Sequence, residues 1–131
     1  KYVVPAPLEE QLKLSGYINQ ILVFGDNRLY NVAIVVPDVE AVTDWAKKNG
    51  VAGDLAALLE NPKLKDVFRA EIDRYSADTF KGYERIKDFR LIPDEFTTEN
   101  DMMTPTLKLK RRNILAAYQG LLDSIYETPA G

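Results

Sequence analysis

The chain has 131 residues, 46% of them hydrophobic and 28% charged, with a formal net charge of −3. That balance fits one soluble globular domain large enough to bury a core, and it argues against nucleic acid as a partner, which needs a basic surface. The chain contains no cysteine and no histidine, which removes disulfides, thiol chemistry, imidazole bases and Ser-His or Cys-His nucleophiles, and no metal site is expected.

The sequence opens on "KYVVPAP", without an initiator Met or the basic-apolar-small layout of a signal peptide. It reads as a domain excised from a longer chain. Pro5 and Pro7 punctuate the entry, and "LEEQLKLS" predicts a short helix with Leu8 and Leu12 on one face. "INQILVFG" and "LYNVAIVVP" are apolar runs separated by "DNR", the pattern of a β-hairpin. Both runs are almost continuously hydrophobic, so the expected sheet is covered on both faces.

Asp38 can cap a helix over "VEAVTDWAKKN", with Val39, Val42, Trp45 and Ala46 as its apolar stripe and Gly50 at its end. A short helix at "DLAALLEN" follows, with Asp54 as its cap. Pro62 then opens a long helix on which Leu64, Val67, Phe68, Ile72, Tyr75 and Thr79 keep helical spacing. Asp38 and Asp54 are read as caps rather than metal ligands, and Trp45, Tyr75 and Tyr118 as packing. "YERIKDFRLIP" predicts a third strand burying Ile86, Phe89 and Leu91, although these break strict alternation. A last helix from Arg112 to Tyr126 turns Ile114, Leu115, Tyr118, Leu122 and Ile125 inward. The predicted fold class is α+β: a small three-stranded sheet, hairpin plus third strand, with helices on both faces. No apolar run approaches the roughly 20 residues of a membrane span.

One stretch stands apart. In "DMMTPTLKLKRR", Lys108, Lys110, Arg111 and Arg112 fall within five residues with no acid among them. Alternation over Thr106–Lys110 predicts an extended arm that buries Leu107 and Leu109 and aims Thr106, Lys108 and Lys110 at the opposite side. Met102 and Met103 read as core or loop filler. From pattern alone, a solvated face is the ordinary explanation of such a charge run. Against it, Arg111 and Arg112 face the positive end of the following helix dipole, an arrangement costing ~0.3–1 kcal/mol each. Asn113 is the candidate N-cap that would leave the arginines outside the helix.

"TPTLKLKR", together with "FTTENDMM", "YERIKDFRLIPDEF" and the opening "KYVVPAPLEEQLKLSGYINQILVFGDNRLYNVAIVVPD", resembles the C-terminal domain of AMP-forming long-chain acyl-CoA synthetases, members of the adenylate-forming enzymes. The resemblance covers essentially the whole chain. Other branches carry a Thr-x-Ser-Gly-Lys version of the lysine segment; this chain has Thr106 and Leu107 where that version has Ser and Gly. Family members often have a glycine near Asp101 and Met102, and "NDMM" has none.

The resemblance implies that residues 1–131 are a single C-terminal lobe whose hinge and N-terminal domain, the seat of ATP, Mg²⁺ and the acyl chain, lie outside this sequence. It assigns Lys108, four residues after Thr104, as the lysine that reaches the active site during acyl-adenylate formation. It also implies that the lobe then rotates to present another face for thioester formation with CoA. Glu9 matches the family's first-helix glutamate and reads as structural. Tyr83, Arg85 and Lys110 are surface candidates for contacting CoA or the partner domain. The implied substrates are fatty acid, ATP and CoA, and the implied location is cytoplasmic or peripheral to a membrane. The isolated lobe is expected to be inactive. Two other readings stand beside this one: the lobe of an acyl-AMP ligase that loads a carrier protein, and a non-catalytic module whose basic arm docks an acidic partner.

Overall fold

A computed structural model describes residues 4–26, 28–77 and 85–127. Helix α1 spans Pro5–Leu12. It starts three residues before the predicted "LEEQLKLS" because Pro5 and Pro7 do not delay it. Proline at the first helical position gives up only an N–H that has no partner there, and its φ already suits the helix. Leu8 and Leu12 are buried on one face, as their spacing requires.

Strands β1 (Ile18–Phe24) and β2 (Asn31–Pro37) pair antiparallel, with Ile21 opposite Val35 and Val23 opposite Ala33. Every residue of β2 is buried, which is what its unbroken apolar run predicts for the middle strand of a sheet covered on both sides. Helix α2 (Val39–Lys48) is capped by Asp38, whose Oδ1 accepts from the Ala41 N–H at 2.9 Å. Gly50, at φ +66°, follows its end in the left-handed conformation that glycine adopts without a Cβ clash. Helix α3 (Leu55–Leu59) is capped in the same way by Asp54, from the Ala57 N–H at 3.0 Å. Helix α4 (Pro62–Ser76) has Pro62 at its start and Asn61 as its cap.

Strand β3 (Ile86–Leu91) runs parallel to β2, giving the order β1-β2-β3. Its broken alternation has a physical cause. The register slips between Asn31 and Val32, which face Ile86 and Asp88, so Lys87 is an extra residue in the strand. That bulge lets Ile86 and Phe89, three apart, both enter one core, with Leu91 packed against it. Arg69 of α4 holds the bulge: its guanidinium donates to the backbone oxygens of Lys87 (3.2 Å) and Ile86 (2.8 Å).

The core of the unit Lys1–Pro93 gathers Leu8 and Leu12 from α1, alternate residues of β1 and β2, Val42, Trp45 and Ala46 from α2, Leu58 from α3, and Leu64, Phe68 and Ile72 from α4. Trp45 and Tyr75 are packing residues, as expected. The fold class is α+β as predicted: one three-stranded sheet and, among the described residues, six helices.

A second compact unit begins at Asp94. It contains α5 (Arg111–Ala117) and α6 (Gln119–Glu127). These replace the single helix predicted over Arg112–Tyr126. The break falls at Tyr118, whose backbone (φ −111°, ψ +21°) leaves helical geometry. The inward residues survive the break: Ile114, Leu122 and Ile125 are buried, and Tyr118 lies edge-on to buried Phe96 with centroids 6.3 Å apart. Among the described residues no helix is long and apolar enough to cross a membrane.

Candidate functional site

The lysine segment is a tight hairpin rather than an extended arm. The Leu107 N–H donates to the Thr104 backbone oxygen at 2.8 Å, closing a four-residue turn with Pro105 at its second position. The Thr104 N–H donates to the Lys108 oxygen (2.8 Å), and the Lys110 N–H to the Met102 oxygen (2.8 Å). Met103 and Leu109 form the antiparallel bridge of this small ribbon. Thr104 Oγ1 accepts from the Lys108 N–H at 3.0 Å, so the threonine fixes the lysine's backbone from its side chain as well.

The hairpin corrects two expectations. Leu107 is not buried; it is 69% exposed at the tip, with φ at +65°. The common three-residue hairpin loop places its last residue in the left-handed region, and residue 107 is that one. A leucine in that conformation costs roughly 1–2 kcal/mol. The glycine of the Thr-x-Ser-Gly-Lys branches falls at this very position. Leu109 is half-buried, and Met103 is buried beside it in the ribbon.

Asn113 does not cap the last helix. Lys110 holds the N-cap position, so Arg111 and Arg112 lie in the first turn of α5. The Asn113 amide instead donates to Asp101, to the backbone oxygen at 2.7 Å and to Oδ2 at 3.2 Å. Asp101 has φ +63°, in the stretch near which family members often have a glycine. Aspartate tolerates the left-handed region better than most side chains, and its carboxylate also binds the Lys110 ammonium. The turn before it is fixed by reciprocal bonds between Thr97 and Asn100.

The two lysines of the segment therefore differ in kind. Lys110 is committed to Asp101. Lys108 is exposed, and among the described residues its ammonium makes no ion pair. Both flanks of Lys108 are held by backbone hydrogen bonds, which leaves a free charge on a fixed support. Elsewhere in the same unit, burial and then the Asp94 carboxylate raise the Tyr118 phenol above its ordinary pKa, keeping that ring neutral.

Arg85, a surface candidate, lies in the first unit and pairs weakly with Asp73 at 3.4 Å. Tyr83 lies outside the described residues. Among the described residues no group of three acidic side chains gathers as a metal site would require. Glu9 is buried, and its Oε2 accepts from the Val23 N–H at 2.7 Å. Sequence reasoning passed over Thr104, Asp101 and Asn113 as supports of the lysine. The legible signal was Pro105, a favoured second residue of a tight turn.

The α+β fold matches the C-terminal-lobe class read from the sequence, and comparison with known proteins is direct. The chain belongs to the family of AMP-binding enzyme C-terminal domains, matching it over residues 1–130. It is 32% identical over 130 residues to Long-chain-fatty-acid–CoA ligase 1 of Homo sapiens and 36% identical over 129 residues to Long chain acyl-CoA synthetase 2 of Arabidopsis thaliana. These matches cover 98% and 96% of this chain but 19% of each relative, so the chain spans about a fifth of the length of the curated relatives it matches. Among solved structures, the A-PCP didomain of the carboxylic acid reductase from Segniliparus rugosus, in complex with AMP, superposes with a TM-score of 0.78 at 25% identity, covering 97% of this chain and 16% of that one. The resemblance to long-chain acyl-CoA synthetases holds over the whole sequence.

Proposed function

We propose that this chain is the mobile C-terminal lobe of a long-chain fatty-acid–CoA ligase, and that Lys108 is its contribution to the first half-reaction. In that step a fatty-acid carboxylate oxygen attacks the α-phosphorus of ATP, and the bond to the pyrophosphate oxygen breaks. Acyl-adenylate and pyrophosphate result. The nucleophile is already ionised, so no base is required, and the lack of histidine is no obstacle. What the step needs is a cation between two approaching anions. An ammonium on a flexible stem can bridge carboxylate and phosphate oxygens as charge develops.

The observation that carries this reading is the contrast within one hairpin: Lys110 is paired with Asp101, while Lys108 beside it is exposed and, among the described residues, makes no ion pair. ATP, Mg²⁺ and the acyl chain would bind the larger part of the enzyme outside this chain, as one lobe with residues 1–131 moving against it. CoA would attack the adenylate after the lobe has rotated and Lys108 has withdrawn. The full-length enzyme would be cytoplasmic, associated peripherally with membrane where its lipid substrate resides. The 131-residue chain alone would be inactive.

The decisive experiment is single-turnover kinetics on the full-length parent. Lys108→Ala should slow adenylate formation from fatty acid and ATP by about 10²–10³-fold, the loss typical of one preorganised electrostatic interaction. Thioester formation from pre-made acyl-adenylate and CoA should be largely spared. Adenylation within a few-fold of wild type would sink the assignment. A carrier protein in place of CoA is the second reading, favoured by the likeness to an A-PCP didomain; the curated relatives at 30–36% identity favour CoA. Assaying both acceptors against the same adenylate separates them.

A further inference from the structure

We propose that Leu107 is a positioning residue: its side chain seats in an apolar socket on the enzyme's larger part when Lys108 is delivered for adenylate formation. The inference rests on the reading of Lys108 given above and extends it to the neighbouring side chain.

Three observations converge on it. First, the hairpin needs a left-handed residue at position 107, and it carries a leucine there, at φ +65°. Glycine would satisfy the loop without strain, so the backbone gives no reason for a branched apolar side chain. Second, that side chain contributes little to packing within this chain, since it is 69% exposed. Val4, Leu14, Leu29 and Val39 are also large exposed hydrophobic residues, but among the described residues Leu107 is the one of them with positive φ. Strain retained at an exposed position points to a function met outside the fold. Third, Leu107 directly precedes Lys108 on the turn, with its Cα about 3.8 Å from that of Lys108, so one surface can receive both side chains. About four fifths of the length of the curated relatives lies beyond the matched segment, and the proposed socket lies in the corresponding part of this enzyme. It is apolar because it must take up an isobutyl group.

The chemistry suits the location. An ammonium on a long stem is a poor positioner, having many rotamers. A leucine buried at the base of that stem would fix the already rigid turn against the larger part of the enzyme and leave only the lysine side chain to search. Its burial would occur in the adenylating arrangement alone.

The test uses the full-length parent with three substitutions at Leu107 and Lys108→Ala run beside them. Leu107→Gly removes both strain and side chain; Leu107→Ala removes the side chain alone; Leu107→Met keeps an apolar side chain of similar volume. Adenylate formation should fall about 10–100-fold in the Gly and Ala variants, the rate equivalent of leaving one leucine unburied. It should recover to near wild type with Met. Thioester formation from pre-made adenylate should change less than about twofold in all three, a split that a general loss of structure would not produce. Hydrogen exchange at the Leu107 and Lys108 amides reports whether the hairpin persists. Leu107→Gly adenylating at or above the wild-type rate, with Lys108→Ala crippled, overturns the role of Leu107 and leaves that of Lys108 standing. Equal slowing of both half-reactions also overturns it. If the Gly variant loses amide protection, the Ala and Met variants decide, and equal rates for the two reject the proposal. A neutral Lys108→Ala rejects the parent reading itself.

Discussion

Glu9 of α1 reaches across to the edge strand, its carboxylate oxygen 2.7 Å from the backbone nitrogen of Val23. Among the described residues strand β1 is the outer strand of the sheet, so its outward-facing backbone donors look beyond the sheet for acceptors. Glu9 satisfies one of them inside the protein, where an orphaned N–H costs about 1–3 kcal/mol. Glu9→Gln keeps an acceptor oxygen and loses only the charge, so it should lower stability by about 1 kcal/mol. Glu9→Ala should cost about 2–3 kcal/mol, because the buried Val23 N–H loses the carboxylate that accepts from it. Denaturant unfolding of both variants measures the difference. In the full-length enzyme Glu9→Gln should still form adenylate; its complete loss in a well-folded protein would give Glu9 a chemical role.

The Asp101 turn yields a prediction with the opposite sense. Its ion pair with Lys110 is exposed, with side-chain exposures of 70% and 38%, and such pairs are worth about 0–1 kcal/mol. Asp101 also bears a left-handed backbone. Asp101→Gly loses the pair but relieves the backbone, and should lie within about 1 kcal/mol of wild type. Asp101→Ala loses the pair and keeps the strain, and should be less stable than Asp101→Gly by roughly 1 kcal/mol. Thermal unfolding of the two variants ranks them. Lys110→Ala should alter either half-reaction far less than Lys108→Ala.

What the sequence made legible was whatever rests on short-range pattern. Asp38 and Asp54 announced their helices because a carboxylate before an apolar stripe has one common use. The β1–β2 hairpin was equally plain from two apolar runs around "GDN". The bulge at Lys87 was visible only as a defect in alternation, because its cause is the register against β2, a strand about fifty residues away in sequence. The hairpin at Thr104–Lys108 was misread for a different reason. Thr-Leu-Lys-Leu-Lys alternates perfectly, and alternation outweighed the turn signal of Pro105. The residues that fix it, Thr104 through Oγ1 and Asp101 through Lys110 and Asn113, act across four to twelve positions. No periodicity reveals such contacts.

Phe68 tests the core of the sheet-bearing unit. It is fully buried on α4, with Tyr17 edge-on to it at 5.7 Å between centroids. Truncating a buried phenylalanine typically costs about 3–5 kcal/mol, against a total stability of about 5–15 kcal/mol for a domain. Phe68→Ala should therefore leave the unit close to its unfolding threshold at 37 °C. Ile72→Val, one methylene lost at a fully buried site on the same helix, should cost only about 0.5–1.5 kcal/mol. Chemical denaturation of the pair reads the ratio.

Asp88 gives the pH dependence a direction. Burial alone would raise its carboxyl pKa, but the Phe89 N–H at 2.8 Å, the Arg90 guanidinium at 3.1 Å and the Lys65 ammonium at 3.2 Å together outweigh burial and hold it below the ordinary value. A carboxyl with a depressed folded pKa is protonated first in the unfolded chain. Its contribution is therefore complete above the unfolded value of about 3.9 and is lost as pH falls through the lower folded value. Asp88→Asn should reduce stability at neutral pH, and the gap from wild type should narrow as the pH is taken below about 4. Raising the pH from 6 to 8 should leave the gap unchanged, because neither state of Asp88 titrates there. Urea unfolding of both proteins across this range measures the gap. A gap that widens toward acid would mean that the Phe89 N–H and the two cations do not outweigh burial at this site.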